Sequence, residues 1–386
     1  MMKYNKKSLT AMLIIFNFMA YGLTSLYSNF MPVYFHSVFS DIQVGYLMAI
    51  VPVMTCIFPT LWGIVADHSK SKNLFFAIIL AFAAVLFVAV KFTGANYILT
   101  MTVFALFAIL YCTFNGMIDT ISIENCEKYS SGYGIVRAMG TLGFGLISVA
   151  VTFLPQKEST FFLYIVVTVL SILSLMLMPK VEGHAGNGKS VKIKKLLSDK
   201  NFLLIMIVNI LLFFAYTFYT NFMAEYLTED LGLSENLWFI TACITCLLEI
   251  PLFLFYDKLF AKLSLKTILI AIVVVSVIRY LLFSQIDKEW EILLNCLLTG
   301  FWITFATYSG TYYITKTVEP ESIASAQQIQ YVFGYGIPKT VSAIAGGYIA
   351  QYAGIKTGFV IMTVICAIAI IPAILLPNKM KYRDDN

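Results

Sequence analysis

Twelve long apolar stretches separated by short polar gaps make up most of this chain. They fall near residues 9–35, 42–66, 73–93, 97–123, 133–154, 160–179, 202–228, 235–257, 266–285, 291–315, 322–350 and 356–377. About 20 apolar residues in a helix cross the hydrocarbon core of a bilayer, so each stretch predicts one transmembrane helix. The second six stretches repeat the first six. Tyr27-Ser28-Asn29-Phe30-Met31, near the end of the first, recurs as Tyr219-Thr220-Asn221-Phe222-Met223 near the end of the seventh, 192 residues later. At the same offset Tyr34 falls on Tyr226 and Pro59 on Pro251. The expected fold is therefore all-α. Two six-helix bundles, residues 1–179 and 201–386, are related by a pseudo-two-fold axis along the membrane normal and joined by a linker, 180–200. A duplicated six-helix unit is the layout of a carrier that holds a solute between its halves.

Composition agrees with a membrane protein. Hydrophobic residues are 60% and charged residues 12%, against about a quarter charged in a soluble domain. The net charge of +5 does not point to nucleic acid, because the cations sit in the gaps between apolar stretches rather than in one cluster. The first stretch is long and lacks a small-residue cleavage site, so no cleavable signal peptide is expected. The seven cysteines lie in or at the ends of apolar stretches and predict no disulfide framework. Cys243 and Cys246 read as packing residues, since no second pair has metal-site spacing. No cofactor is expected, and the chain is expected to act as a monomer in a plasma membrane.

Charge sets the orientation. With the N-terminus in the cytoplasm, the inside loops and tails hold 19 Lys and Arg and the outside loops 4, with Arg137, Arg279 and Lys339 inside spans to complete the 26. This is the positive-inside bias, so both termini are expected in the cytoplasm. Between Lys180 and Lys200 lies the one long polar interruption. It reads as a solvated cytoplasmic linker, with a short surface helix expected over Lys192–Leu197.

An ionisable group inside a span is costly and marks a paired or cavity-facing site. Asp119 and Glu124 fall in the fourth span, Arg137 in the fifth, Glu249 in the eighth, Arg279 in the ninth and Lys339 in the eleventh; Glu225 is near the outer end of the seventh. Asp119 and Arg137 flank one turn on antiparallel helices and reach similar depth. They either pair or bind the hydroxyls of a polar solute, Arg137 through its rigid donor fork; snorkelling of Arg137 to the surface is the structural alternative. Glu249 sits mid-span and is the first choice for a proton-coupling acid, with Arg279 or Lys339 as its partner or the charge that drives its deprotonation. Lys339 follows Pro338, where a break in the helix would free carbonyls. Asn17, Asn29, Tyr216, Asn221, Trp302, Tyr308, Gln327 and Gln330 complete a candidate solute site, and Phe144 or Trp302 offers a stacking face. The histidines, His36, His68 and His184, lie at span ends or in loops, and their placement is read as excluding a histidine proton relay. Phosphate loops, metal clusters and nucleophilic triads are missing from the sequence, so an enzyme is not expected.

Gly63-Ile64-Val65-Ala66-Asp67 followed by Lys70 and Lys72 resembles the signature loop between helices 2 and 3 of the major facilitator superfamily. The resemblance implies that Gly63 allows close helix packing, while Asp67, Lys70 and Lys72 form a cytoplasmic gate. The second copy, Asp257-Lys258 with Lys262 and Lys266, lacks the glycine. Pro59-Thr60-Leu61-Trp62-Gly63, Tyr133-Gly134-Ile135-Val136-Arg137-Ala138-Met139-Gly140, Glu249-Ile250-Pro251 and Ala326-Gln327 are similar to the group containing lactose permease, the nucleoside–proton symporters and the phenylpropionate permeases. That resemblance implies sugar-binding roles for Asp119 and Arg137, a stacking role for Phe144, and a place beside the coupling acid for Arg279. Two positions depart from the group: Thr299-Gly300 stands where it often has His-Gly, and the helix 10 acid is missing near Phe301. Coupling would then fall to Glu249 or Asp119, with sodium coupling and uniport as alternatives. The expected function is proton-driven import of a small polar solute, sugar or oligosaccharide first, nucleoside or aromatic acid next. The alternatives are a drug–proton antiporter, although the fifth span lacks the exporters' glycine–proline signature, and a non-transporting sensor.

Overall fold

In a computed structural model of the chain, the described residues are 5–130, 132–183, 198–319 and 323–378; the side chains of 253–262, 308, 324 and 325 are outside the description. Among the described residues twelve helices follow one another: α1 Lys6–His36, α2 Asp41–Asp67, α3 Lys72–Lys91, α4 Tyr97–Lys128, α5 Tyr133–Phe153, α6 Ser159–Leu177, α7 Lys200–Asp230, α8 Asn236–Lys262, α9 Leu265–Phe283, α10 Glu289–Thr317, α11 from Ile323 to Ala353, and α12 Ile355–Leu375. They form the two six-helix bundles expected from the hydropathy pattern. Short polar residues ahead of the apolar runs start several helices by accepting a hydrogen bond from the orphaned first-turn amides. Asn5, Ser71, Asn96, Asp199 and Ser264 all do so.

Among the described residues π-helical turns occur at Leu26–Phe30 in α1, Tyr226–Asp230 at the end of α7, and Tyr331–Gly336 in α11. The last ends just before Pro338. A proline removes the N–H that would bond four residues back, and the helix answers with one wide turn in place of the expected break. Such wide turns cluster at functional sites.

The two halves meet along two seams, α2 against α11 and α5 against α8. Glycine permits the approach on the first seam: a Cβ on Gly45 would lie 2.6 Å from the Ala343 carbonyl oxygen, and one on Gly347 2.5 Å from that of Asp41. On the second seam Gly145 packs directly on Cys243 and Cys246. Hydrogen bonds between the halves gather at the same end, away from the termini. His36 Nε2 donates to the Asn221 carbonyl at 3.0 Å, Trp238 Nε1 to the Asn29 carbonyl at 2.9 Å, and the Ile42 amide to Gln351 Oε1 at 3.3 Å. The hydroxyls of Tyr46 and Tyr348 lie 3.2 Å apart, and Lys157 binds Asn236 Oδ1.

Toward the termini the picture changes. A Cβ on Gly63 would meet nothing within 4 Å, so the close packing expected of this glycine is absent in this conformation. The loop after it is ordered by charge: Lys72 Nζ lies 2.7 Å from Glu124 Oε1 and 3.3 Å from Asp67 Oδ1, while Lys70 is exposed. The start of the expected linker docks here. The Lys72 amide donates to the Val181 carbonyl, the Gly183 amide to that of Ser69, and the Val181 amide to Asn73 Oδ1. The expected surface helix at Lys192–Leu197 lies outside the described residues, as do the side chains of Asp257, Lys258 and Lys262 in the second-copy loop.

Candidate functional site

A cavity of about 910 Å³ lies between the bundles. Its deep end is closed by Asn29, Asn221 and Trp238, and its walls run on to Gly63 and Gln327 near the termini-side ends of α2 and α11. The protein is thus closed at the far end and open toward the termini.

On the first-half wall, Arg137, Thr141 and Phe144 line the cavity; at spacings of four and three along α5 they share one face of the helix. Arg137 Nη1 donates to Thr141 Oγ1 at 3.0 Å, and the guanidinium lies 4.2 Å from the centroid of the Tyr21 ring. Asp119 Oδ1 accepts from the hydroxyls of Tyr21 and Tyr133, both at 2.7 Å. Tyr21 therefore joins acid and guanidinium, its ring beneath one and its hydroxyl on the other. Both bonds to Asp119 are charge-assisted and short, which fixes the carboxylate toward the cavity.

Facing them from the second half are Tyr216, Glu249, Gln330 and Lys339, all lining the cavity. Arg137 and Glu249 line this cavity from opposite halves, near enough for their charges to act on one another. Lys339 sits with its ammonium 5.5 Å from the Phe213 ring centroid. Gln330 Nε2 donates to the Tyr335 hydroxyl at 2.6 Å, which fixes the amide above the π-helical turn of α11.

Several expected residues lie elsewhere. Trp302 is fully buried and stands one layer behind the cavity, stacked on Tyr216 at 4.8 Å. Arg279 is also fully buried and outside the lining. Its Nε donates to Thr299 Oγ1 at 2.8 Å, its Nη1 to the Tyr280 hydroxyl at 2.9 Å, and it lies 4.1 Å from the Tyr219 ring centroid. Among the described residues no carboxylate pairs with it, so the pairing with Glu249 weighed from the sequence is not formed here. Asn17 packs α1 on α4 by donating to Ser122 Oγ at 2.8 Å. The side chain of Tyr308 is outside the description. Asn29, Asn221, Gln327, Gln330 and Phe144 do line the cavity.

The comparisons with known proteins fall on one side. The family described as MFS_1 like matches residues 10–361. The chain belongs to that family. An uncharacterized transporter, YwbF, of Bacillus subtilis (strain 168) is 25% identical over 82% of this chain and 80% of its own length. A maltose permease of Geobacillus stearothermophilus is 20% identical, covering 88% and 87%, and a xanthosine permease of Escherichia coli (strain K12) is 22% identical, covering 90% and 89%. Among solved structures, a mutant of the nucleoside transporter NupG superposes with a TM-score of 0.86 at 17% identity, over 95% of this chain and 99% of that one. A bacterial homologue of the lysosomal transporter Spinster gives 0.68 at 11% identity, over 97% of each chain. This member of the MFS_1 like family is a secondary transporter of small solutes.

Tyr21, Tyr133 and Thr141 escaped sequence reasoning. All three orient the charged pair, yet each looks like an ordinary residue of an apolar span. The one available signal was spacing: Arg137 and Thr141 stand four apart, and Tyr133 stands four before Arg137.

Proposed function

We propose that the protein imports a small polar solute, a sugar or oligosaccharide first, across the plasma membrane by proton-coupled alternating access, as a monomer without a cofactor. The observation that carries this reading is the facing of Asp119, Tyr21 and Arg137 on one wall toward Glu249 on the other, in one cavity. The excess of Lys and Arg on the termini side supports cytoplasmic termini. With that orientation the cavity is inward-open and the far seam is the closed outer gate. Residues 1–179 and 201–386 rock as two bodies about the site, with 180–200 as the tether.

The chemistry follows from the donors and acceptors. Solute hydroxyls donate to the Asp119 carboxylate, which the two tyrosine hydroxyls hold in place, and accept from the Arg137 fork, which presents its donors in a fixed plane. Phe144 offers an apolar face to the solute's ring. Asn29 and Asn221 offer polar contacts at the deep end, while Trp302 supports Tyr216 from behind. A carboxylate in this low-dielectric site is the natural proton carrier. Protonation of Glu249 removes the negative charge facing Arg137 and frees the guanidinium for solute. Lys339 in the cavity and Arg279 one layer behind supply positive charge that favours release of the proton. At the cytoplasmic end, Gly63, Asp67, Lys70 and Lys72 gate the mouth, with Lys72 holding the loop on Glu124.

The maltose permease among the relatives supports the sugar reading. A nucleoside is the second reading, favoured by the xanthosine permease and by the tyrosine faces of Tyr216, Tyr331 and Tyr335 in the cavity. The test is external pH in a weakly buffered suspension of cells expressing the chain, with sugars, nucleosides and aromatic acids added singly. Alkalinisation with one class, lost in Arg137→Ala, is expected. Uptake of labelled solute without any pH change would remove the proton from the reading.

A further inference from the structure

His36 ends α1, yet its side chain is only 6% exposed. It is wedged between the halves at the far seam, edge-on to Phe222 at 5.3 Å. Its Nε2 lies 3.0 Å from the Asn221 carbonyl oxygen. A carbonyl only accepts, so Nε2 carries a hydrogen and the remaining chemistry belongs to Nδ1. Nδ1 lies 2.7 Å from Glu225 Oε2 on α7 and 3.5 Å from Asp41 Oδ1 at the start of α2. All three ligand atoms fall within 4.8 Å of one another. Glu225 Oε2 and His36 Nδ1 are both buried, and among the described residues neither makes a hydrogen bond, so the contact between them is a close charge pair.

A neutral imidazole with its hydrogen on Nε2 would aim a lone pair at two carboxylates. That arrangement repels itself at each edge, and burial leaves little water to screen it. A proton on Nδ1 resolves the conflict, and 2.7 Å is ion-pair distance for an imidazolium and a carboxylate. The charged groups at this end of the packed elements are Glu225, Glu229 and Asp230 of α7 and Asp41 of α2; Lys356 at the start of α12 acts on Asp230. The cluster is thus acid-rich, and His36 is the cation at its centre.

We propose that His36, Asp41 and Glu225 form a proton-binding latch across the two halves, which holds the far side of the transporter shut. It is separate from the solute cavity and rests on the alternating-access reading above. Opening the far side carries Glu225 away from His36 and Asp41, because it belongs to the other half. The proton is held more tightly when the groups converge than when they part into water. By linkage, acid therefore favours the latched state and alkali the unlatched one.

The test uses the full-length protein in lipid nanodiscs, native cysteines replaced by alanine, with spin labels on Ser37→Cys and Tyr352→Cys. Both positions are exposed, one on each half beside the far seam. Raising the pH from 5.5 to 8.5 is expected to increase the ratio of long to short label distances on the order of tenfold, the effect of one unit of linked proton affinity. In His36→Gln the ratio should no longer respond to pH. In Glu225→Gln, which keeps the shape of the side chain, the midpoint should move to lower pH; this second variant decides the matter if the first does not fold. An unchanged pH response in either folded variant overturns the proposal. A response abolished by EDTA assigns the site to a metal ion and also overturns it. Because the readout is a distance between labels, it does not depend on finding a transported solute, and the latch can fail while the transport reading stands.

Discussion

Gly347→Ala is a direct probe of which conformation the far seam stabilises. The new Cβ would lie 2.5 Å from the Asp41 carbonyl oxygen, whereas ordinary contact begins at 3.4 Å. The backbones of α2 and α11 must therefore part by about 0.9 Å, the difference of those two distances. Overpacking a close-packed contact costs roughly 1–3 kcal/mol. The cost arises only while the two helices touch, so it acts as a bias on the conformational equilibrium. A bias of 1–3 kcal/mol is about 5–150-fold in population. Gly45→Ala, which meets the Ala343 carbonyl at 2.6 Å, should act in the same direction. The two changes should be less than additive because they separate the same pair of helices. Gly143→Ala is the control: its Cβ would clash with the Phe18 backbone of α1, inside one half, so it strains every conformation and lowers folded yield without bias. The assay is labelling of Ser28→Cys, a cavity position, by a membrane-impermeant maleimide added outside cells, in a background without other cysteines. The expected result is faster labelling in Gly347→Ala by a factor in the range above. An unchanged rate at normal membrane yield would refute the claim that this seam closes the outer gate.

Three further outcomes bear on the cavity. Arg137→Ala should abolish solute binding by the purified protein while leaving its melting temperature in detergent within a few degrees of the parent; binding at parental affinity would remove the guanidinium from the site. Glu249→Gln should keep solute exchange between equilibrated compartments and lose uphill accumulation; normal accumulation would clear Glu249 of a coupling role. Tyr21→Phe deletes the hydroxyl on Asp119 and should weaken binding about tenfold, for a charge-assisted bond worth about 1.5 kcal/mol. Tyr21→Ala also removes the ring under Arg137 and should weaken binding by a further ~1 kcal/mol; equal effects of the two changes would show that the ring does nothing.

The helices were legible because the bilayer imposes a length and an apolar character that few other environments require. Asp119, Arg137, Glu249 and Lys339 were legible for the related reason that charge at that depth is expensive. Helix rotation was not legible. In a membrane the lipid-facing and core-facing sides are both apolar, so hydropathy does not say which side meets the cavity. Trp302 and Arg279 show the consequence. Both are what a solute site would use, and both point into the bundle behind Tyr216 and Tyr219. His36 shows the reverse error. A residue at the end of a span reads as surface, and only the approach of α7 and α2 buries it. The bond of Tyr21 to Asp119 links residues 98 apart, beyond the reach of any local pattern.

The repeated Tyr-x-Asn-Phe-Met motif puts the same backbone atom to the same use twice. The carbonyl of Asn29 accepts from Trp238 and the carbonyl of Asn221 accepts from His36, so each copy serves as a socket for a plug borne by the other. Sockets made of main chain survive side-chain drift after duplication, whereas plugs are free to diverge. Here one plug is an indole, which no physiological acidity alters, and the other an imidazole. The plugs do not stand at equivalent places in the repeat: 192 residues beyond His36 is Thr228, and 192 residues before Trp238 is Tyr46. The two sockets are symmetric while their plugs come from different points of the repeat, which gives a symmetric architecture one permanent fastener and one that answers to its surroundings.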